Sequence, residues 1–194
     1  DAVGHGMPAA LLTMFIKRAI VPKRISGSSY ELVPPSEILS SLNEDMCLQG
    51  LSDQQFATCC YGIMNFRERK LWIANAGHPY PMLMKTDGTI EEFRVKGPLL
   101  GVIDGAEYVT HEFSMDYGEK LLIYSDGVEA AFDTEKYTLD SPPRFRREFD
   151  GLTSLSVDNL VRKLLYLLDD ATGSLHPRDD VTVVGIELYD SSAK

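Results

Sequence analysis

Residues 56–77, "FATCCYGIMNFRERKLWIANAG", decide the fold class. "FATCCYGIMNF" is rich in strand formers, "RERK" is a charged turn and "LWIANAG" is a second apolar run, so the segment predicts a hairpin. Upstream the period differs. "MPAALLTMFIKRAI" carries apolar residues at 7, 11, 12, 15, 16, 19 and 20, the stripe of a helix. Pro8 suits its first turn, where a missing amide hydrogen costs nothing. "PSEILSSLNEDMCLQGL" predicts a second helix, capped by Ser36 with Gly50 beyond its end, and "KRISGSSYELVPP" between the two reads as a loop. Downstream, "PYPMLMK" and "TIEEFRV" around the turn "TDG" predict another hairpin, "AEYVTHEFSM" alternates, and "EKLLIYSDGV" is an apolar strand running into Asp126-Gly127. The polar, proline-bearing stretch 133–154 reads as a surface excursion. "SVDNLVRKLLYLLDDAT" predicts an amphipathic helix capped by Ser156, and "RDDVTVVGIELY" a buried closing strand. Helices first, then a run of strands, then a helix and a strand is the order of an α+β domain on antiparallel sheet, not of βαβ units.

The chain has 194 residues, 44% apolar and 25% charged, enough for one domain with a real core, and it shows no repeat or interdomain linker. No stretch approaches the roughly 18 uninterrupted apolar residues of a membrane span. A net charge of −10 argues against a nucleic-acid partner. It also repels a phosphorylated substrate unless a bound divalent cation inverts the local field. Cys47, Cys59 and Cys60 are odd in number and form no disulfide framework, which points to a reducing cytoplasm. The adjacent pair is read as core cysteine rather than as a redox couple.

Three acidic positions stand out: Asp1, Asp126 and the pair Asp179-Asp180, each at a strand or loop end beside apolar sequence. Carboxylates gathered at one sheet edge repel unless protonated or bridged by a cation. Oxygen ligands with no cysteine and few histidines suit magnesium or manganese. The same residues also fit plain turn chemistry, since Asp before Gly is a common turn and paired Asp often cap a loop. Gly4-His5-Gly6 lets the backbone approach something closely before a helix start, or simply carries a loop histidine. His78 in "NAGHPYP" reads as structural.

"DAVGHGMPAALL", "FATCCYGIMN", "LWIANAGHPYPMLM", "GPLLGV", "LLIYSDGVEAA" and "DDVTVV" follow one another in the order seen in bacterial SpoIIE-type phosphatases. The chain thereby resembles, over nearly its whole length, the metal-dependent, protein phosphatase 2C-like serine/threonine phosphatases that include the RsbU-type stress regulators. The resemblance implies a sandwich of two antiparallel β-sheets flanked by α-helices, and residues 1–194 as a single SpoIIE-type domain. It implies two Mn2+ or Mg2+ ions, with Asp1 bridging both, the Ala2 carbonyl as a further ligand, and Asp126 and Asp179 on the second ion. Asp180 is then a neighbour. Asp1, Asp126 and Asp179 are the catalytic set, and His5 is left outside it. The family also carries an upstream strand pair with a Gly-Gly-Asp-like motif, so the chain is expected to be N-terminally truncated. Alone, it is expected to bind metal weakly and hydrolyse phosphoprotein poorly.

The implied reaction is hydrolysis of a phosphoserine or phosphothreonine on a protein, consistent with the lack of a Cys-x5-Arg loop or a Ser/His/Asp arrangement. The implied substrate is a phosphorylated STAS-domain anti-sigma-factor antagonist, and the implied context an upstream sensor or receiver domain. A competing reading keeps the fold but not the chemistry: a non-catalytic module that recognises a STAS-like partner.

Overall fold

The computed structural model describes residues 1–4, 6–49, 55–132, 149, 151–172 and 180–190. It divides into two compact units, one of Asp1–His78 with Val95–Ser114, the other of Pro79–Arg94 with the described residues from Met115 onward.

In the first unit, α1 (Met7–Ala19) is followed by β1 (Lys23–Ser26), β2 (Ser29–Leu32) and α2 (Pro35–Leu48). Then β3 (Cys59–Asn65), β4 (Lys70–Ala76) and β7 (His111–Ser114) form an antiparallel sheet in the order β3-β4-β7. The hairpin expected from residues 56–77 is there, with Cys59 opposite Ala76 and Asn65 opposite Lys70. Its turn is set by Asn65, whose Oδ1 accepts from Arg67 N at 3.0 Å and Glu68 N at 3.2 Å. Such a side chain imitates a backbone turn. On α2, Ile38, Leu39, Leu42 and Met46 recur at helical spacing and are buried, joining Leu12, Ala57, Ala74, Ala76, Leu100 and Tyr108 in this unit's core. Buried Asn43 ties the helix to the loop beyond, donating to Ile103 O at 2.8 Å and accepting from Gly101 N at 2.9 Å.

In the second unit, β5 (Met82–Met84), β6 (Ile90–Glu92), β8 (Lys120–Tyr124) and β9 (Val183–Glu187) form an antiparallel sheet in the order β6-β5-β8-β9. α3 (Asp126–Phe132) and α4 (Val157–Thr172) belong to the same unit. The core is Met82, Met84, Leu122, Tyr124 and Val128 with Leu160, Leu164 and Leu168, an i, i+4, i+8 stripe of α4. The first amide of α4, Val157 N, donates to the Glu187 carboxylate at 2.9 Å, so a side chain of β9 satisfies it.

Several expectations are corrected. The stretch read as a loop after α1 is the β1–β2 hairpin, missed because all eight of its residues are exposed and impose no burial pattern. Ser36 is not the cap of α2. Pro34 occupies that position, and Ser36 lies inside the helix, where its hydroxyl accepts from Thr110 Oγ1 at 2.9 Å. Of the α1 stripe only Leu12 is fully buried, while Met7 and Leu11 are exposed. "AEYVTHEFSM" contributes only His111–Ser114 as strand. Asp126-Gly127 is the opening of α3, not the end of a strand. Within 133–154, Phe149 is wholly buried and Leu152 nearly so, because both plug the core against α4. The closing strand β9 lies at a sheet edge and is half-buried rather than buried.

Candidate metal centre

Asp1 and Ala2 are placed by a short ladder in the first unit. Asp1 N donates to Thr58 O at 2.7 Å and Thr58 N to Asp1 O at 2.8 Å, while Val3 N donates to Phe56 O at 3.0 Å. Ala2 therefore stands opposite Ala57 as the non-bonded pair between two bonded ones. In an antiparallel ladder such a residue turns its own N–H and C=O outward. The Ala2 carbonyl oxygen thus points away from Ala57. Ala57 pairs on its other side with Leu100, by bonds of 3.2 and 3.0 Å, so the strip carrying Asp1 is pinned to the buried core. Gly4 and Gly6 then take φ values of 97° and 76°, which a side chain would resist, and turn the chain into α1.

Behind this ladder sits His78. Its Nδ1 is 2.8 Å from Thr58 Oγ1, and Asn75 clamps its backbone by accepting from His78 N at 2.8 Å and donating to His78 O at 2.9 Å. His78 holds the loop together. Cys59 and Cys60 are half-buried, and burial raises both thiols, Cys60 to about 12. Neither is a thiolate nucleophile at neutral pH.

In the second unit, Asp126 is exposed and follows β8 directly, at the first residue of α3. A carboxylate in the first turn of a helix faces the positive end of its dipole. Ser125 fixes this junction. Its N donates to Thr182 O at 3.0 Å, its hydroxyl donates to Asp180 O at 3.0 Å, and Thr182 N donates back to that hydroxyl at 2.8 Å. A Cβ on Gly127 would lie 2.3 Å from Asp180 O, so only glycine lets the two segments meet so closely. The structure therefore brings the "SDG" stretch against Asp180, two places that the sequence marked separately. Sequence reasoning did not single out Ser125 or Thr58. The one available signal for Ser125 was a small hydroxyl residue between an apolar strand and Asp-Gly.

Asp179 and His5 lie outside the described residues. Asp1 and Ala2 belong to the first unit and Asp126 and Asp180 to the second. Among the described residues no three His, Cys, Asp or Glu side chains form a ready metal group. The donor chemistry nevertheless fits a hard cation. Asp1 and Asp126 have no ion-pair partner among the described residues, the Ala2 carbonyl is turned outward, and all are oxygens.

Sheets and helices of this arrangement are those of a protein phosphatase 2C fold. The chain aligns with the SiaA-PP2C domain of Pseudomonas aeruginosa at a TM-score of 0.74 and 21% identity, covering 96% of this chain and 73% of that one. It aligns with the catalytic domain of the serine/threonine protein phosphatase PstP, solved in complex with two manganese ions, at a TM-score of 0.68 and 14% identity, covering 98% and 86%. The family model for Stage II sporulation protein E (SpoIIE) matches residues 1–189, and the chain belongs to that family. It is 29% identical over 188 residues to the phosphoserine phosphatase RsbU of Bacillus subtilis, covering 95% of this chain and 52% of RsbU. It spans about half the length of the curated relatives it matches, 52% of RsbU and 44% of RsbP.

Proposed function

We propose that this chain is the phosphatase domain of a metal-dependent protein serine/threonine phosphatase, with residues 1–194 as one catalytic domain. The observation that carries the reading is the junction at Asp126: an exposed carboxylate without an ion-pair partner among the described residues, locked by Ser125 and Gly127 against the backbone of Asp180. The likeness to RsbU, a phosphoserine phosphatase, and to PstP with its manganese ions supports it.

Asp1, the Ala2 carbonyl, Asp126 and Asp179 would hold two Mn2+ or Mg2+ ions. When bound, such ions supply Lewis acidity, lowering the pKa of an attacking water and offsetting charge on the phosphoryl oxygens. The protein's part is placement. The Thr58 pairing fixes the Asp1 backbone, and the Ser125 hydroxyl keeps Asp126 at the start of α3. The substrate is a phosphorylated STAS-type anti-sigma-factor antagonist in the bacterial cytoplasm, and the domain works under an upstream sensor or receiver domain. Among the described residues no helix is long and apolar enough to cross a membrane.

The test is phosphate release from a phosphorylated STAS-domain protein by the protein carrying this chain, with and without Mn2+. Metal-dependent release is the expected result. Binding of the phosphoprotein without release under any metal would leave a recognition module in place of an enzyme.

A further inference from the structure

The β1–β2 hairpin exposes an apolar face to solvent. Lys23 stands opposite Leu32 and Ile25 opposite Tyr30, alternating with Arg24 opposite Glu31 and Ser26 opposite Ser29. Opposed residues share a face and successive residues alternate, so Lys23, Ile25, Tyr30 and Leu32 make one face and Arg24, Ser26, Ser29 and Glu31 the other. Both faces are open to solvent, and on the polar one Arg24 pairs with Glu31 at 2.7 Å and also with Glu37 on α2. The apolar residues share the opposite face. Ile25 is 78% exposed, Tyr30 63% and Leu32 50%, with Lys23 Nζ 4.6 Å from the Tyr30 ring centroid. At the base of the hairpin, buried Val33 donates its N–H to Pro22 O at 3.1 Å and holds the hairpin to the body. An exposed apolar patch of this kind, rimmed by polar residues, marks an interaction site.

Charge selects the occupant. Between Lys17 and Leu32 four cations stand against one acid, in a chain of net charge −10. Lys17, Arg18 and Lys23 have no ion-pair partner among the described residues. A second copy docked symmetrically would set the same cations against each other. Nucleic acid meets the repulsion of the remaining chain. An acidic protein surface meets neither obstacle.

We propose that this face, Lys23, Ile25, Tyr30 and Leu32 with the field of Lys17 and Arg18 just upstream, docks the phosphoprotein substrate, taking an apolar side chain flanked by acidic groups. The proposal rests on the phosphatase reading above for the identity of the partner. It deepens that reading by giving the enzyme a recognition surface outside the metal centre, so that affinity for the protein substrate and chemistry at phosphorus are separable.

The experiment compares wild type with Ile25→Ser/Tyr30→Ser and with Lys23→Glu, all at exposed positions. Affinity for a phosphorylated STAS-domain protein is measured by calorimetry in EDTA, which stops turnover. Steady-state kinetics with Mn2+ are then run on that protein and on p-nitrophenyl phosphate. Binding should weaken about tenfold or more in both variants, as loss of an aromatic anchor does at an interface. KM for the phosphoprotein should rise with kcat little changed, and turnover of the small ester should be unaffected. Lys23→Glu should also flatten the salt dependence of binding. Equal affinity in wild type and variants, or no binding by wild type, overturns the docking surface. A wild-type dimer that dissociates in the double variant assigns the face to a second copy and overturns it as well. Weakened binding in the variants without phosphate release by wild type sustains the surface and removes the enzyme.

Discussion

At the scale of single residues, position and chemistry separate cleanly around Asp126. Its carboxylate is exposed and has no ion-pair partner among the described residues, so Asp126→Asn changes charge without disturbing packing. We expect Mn2+-dependent phosphate release to fall by orders of magnitude, while thermal stability stays within about 0.5 kcal/mol of wild type, as for other surface changes. Parallel activity and melting measurements check this, and wild-type turnover in the variant would remove Asp126 from the centre. Gly127 is the reverse case. A methyl group there meets Asp180 O at 2.3 Å, a backbone atom that cannot swing aside. Gly127→Ala should cost roughly 1–3 kcal/mol, the usual range for overpacking, and should reduce activity by shifting the junction that holds Asp126 against Asp180. Stability unchanged in urea denaturation would mean that the junction is looser than its hydrogen bonds indicate.

At the scale of elements, α1 illustrates how an apolar stripe divides between core and surface. Leu12 is 4% exposed and packs with Leu39, Leu42 and Met46 of α2, with Phe15 and Ile16 partly buried beside it, while Leu11 is 59% exposed. Leu12→Ala should therefore cost roughly 2–5 kcal/mol and Leu11→Ala less than about 0.5 kcal/mol. Urea titration of the two variants distinguishes them, and equal losses would place both residues in the core. In the notation of pattern alone both leucines look the same. Which one faces α2 depends on where that helix lies, and a period cannot carry that information.

At the scale of the whole molecule, burial makes the protein sensitive to alkali. Cys60 is pushed from 9.0 to about 12 and Tyr108 from 10.0 to about 12, both chiefly by desolvation, and Cys59 moves in the same direction. These folded values lie above the unfolded ones. Between about pH 9 and 12 the unfolded chain releases protons that the folded chain keeps, and stability falls as pH rises across that window. Below pH 9 the contribution is fully present. Tyr108 also offers a sharper test, since its buried hydroxyl has no hydrogen-bond partner among the described residues. Tyr108→Phe removes an unsatisfied polar group at nearly constant shape, so it should be neutral or stabilising at pH 7 and should shallow the alkaline decline. Denaturant midpoints at pH 7 and pH 11 give both readings; a marked loss of stability at pH 7 would show that the hydroxyl has a partner.

Much of this architecture is local and was legible for that reason. The period change at Phe56 reports two strands and a charged turn, the 3.6 spacing of α2 and α4 reports their buried faces, and glycines beside acids report tight junctions. Six short motifs in order carry the family, because chain order survives where identity has fallen to 29%. Tertiary structure alone decided the rest. It made the β1–β2 hairpin out of residues with no burial pattern, and buried Phe149 and Leu152 in a stretch that reads as polar. It turned Asp126 from a strand end into a helix start, and pressed Gly127 against Asp180 across more than fifty residues of chain. The physical reason is the same in each case. Periodicity and turn chemistry act between residues a few positions apart, whereas burial and the close approach of distant segments depend on which surfaces meet.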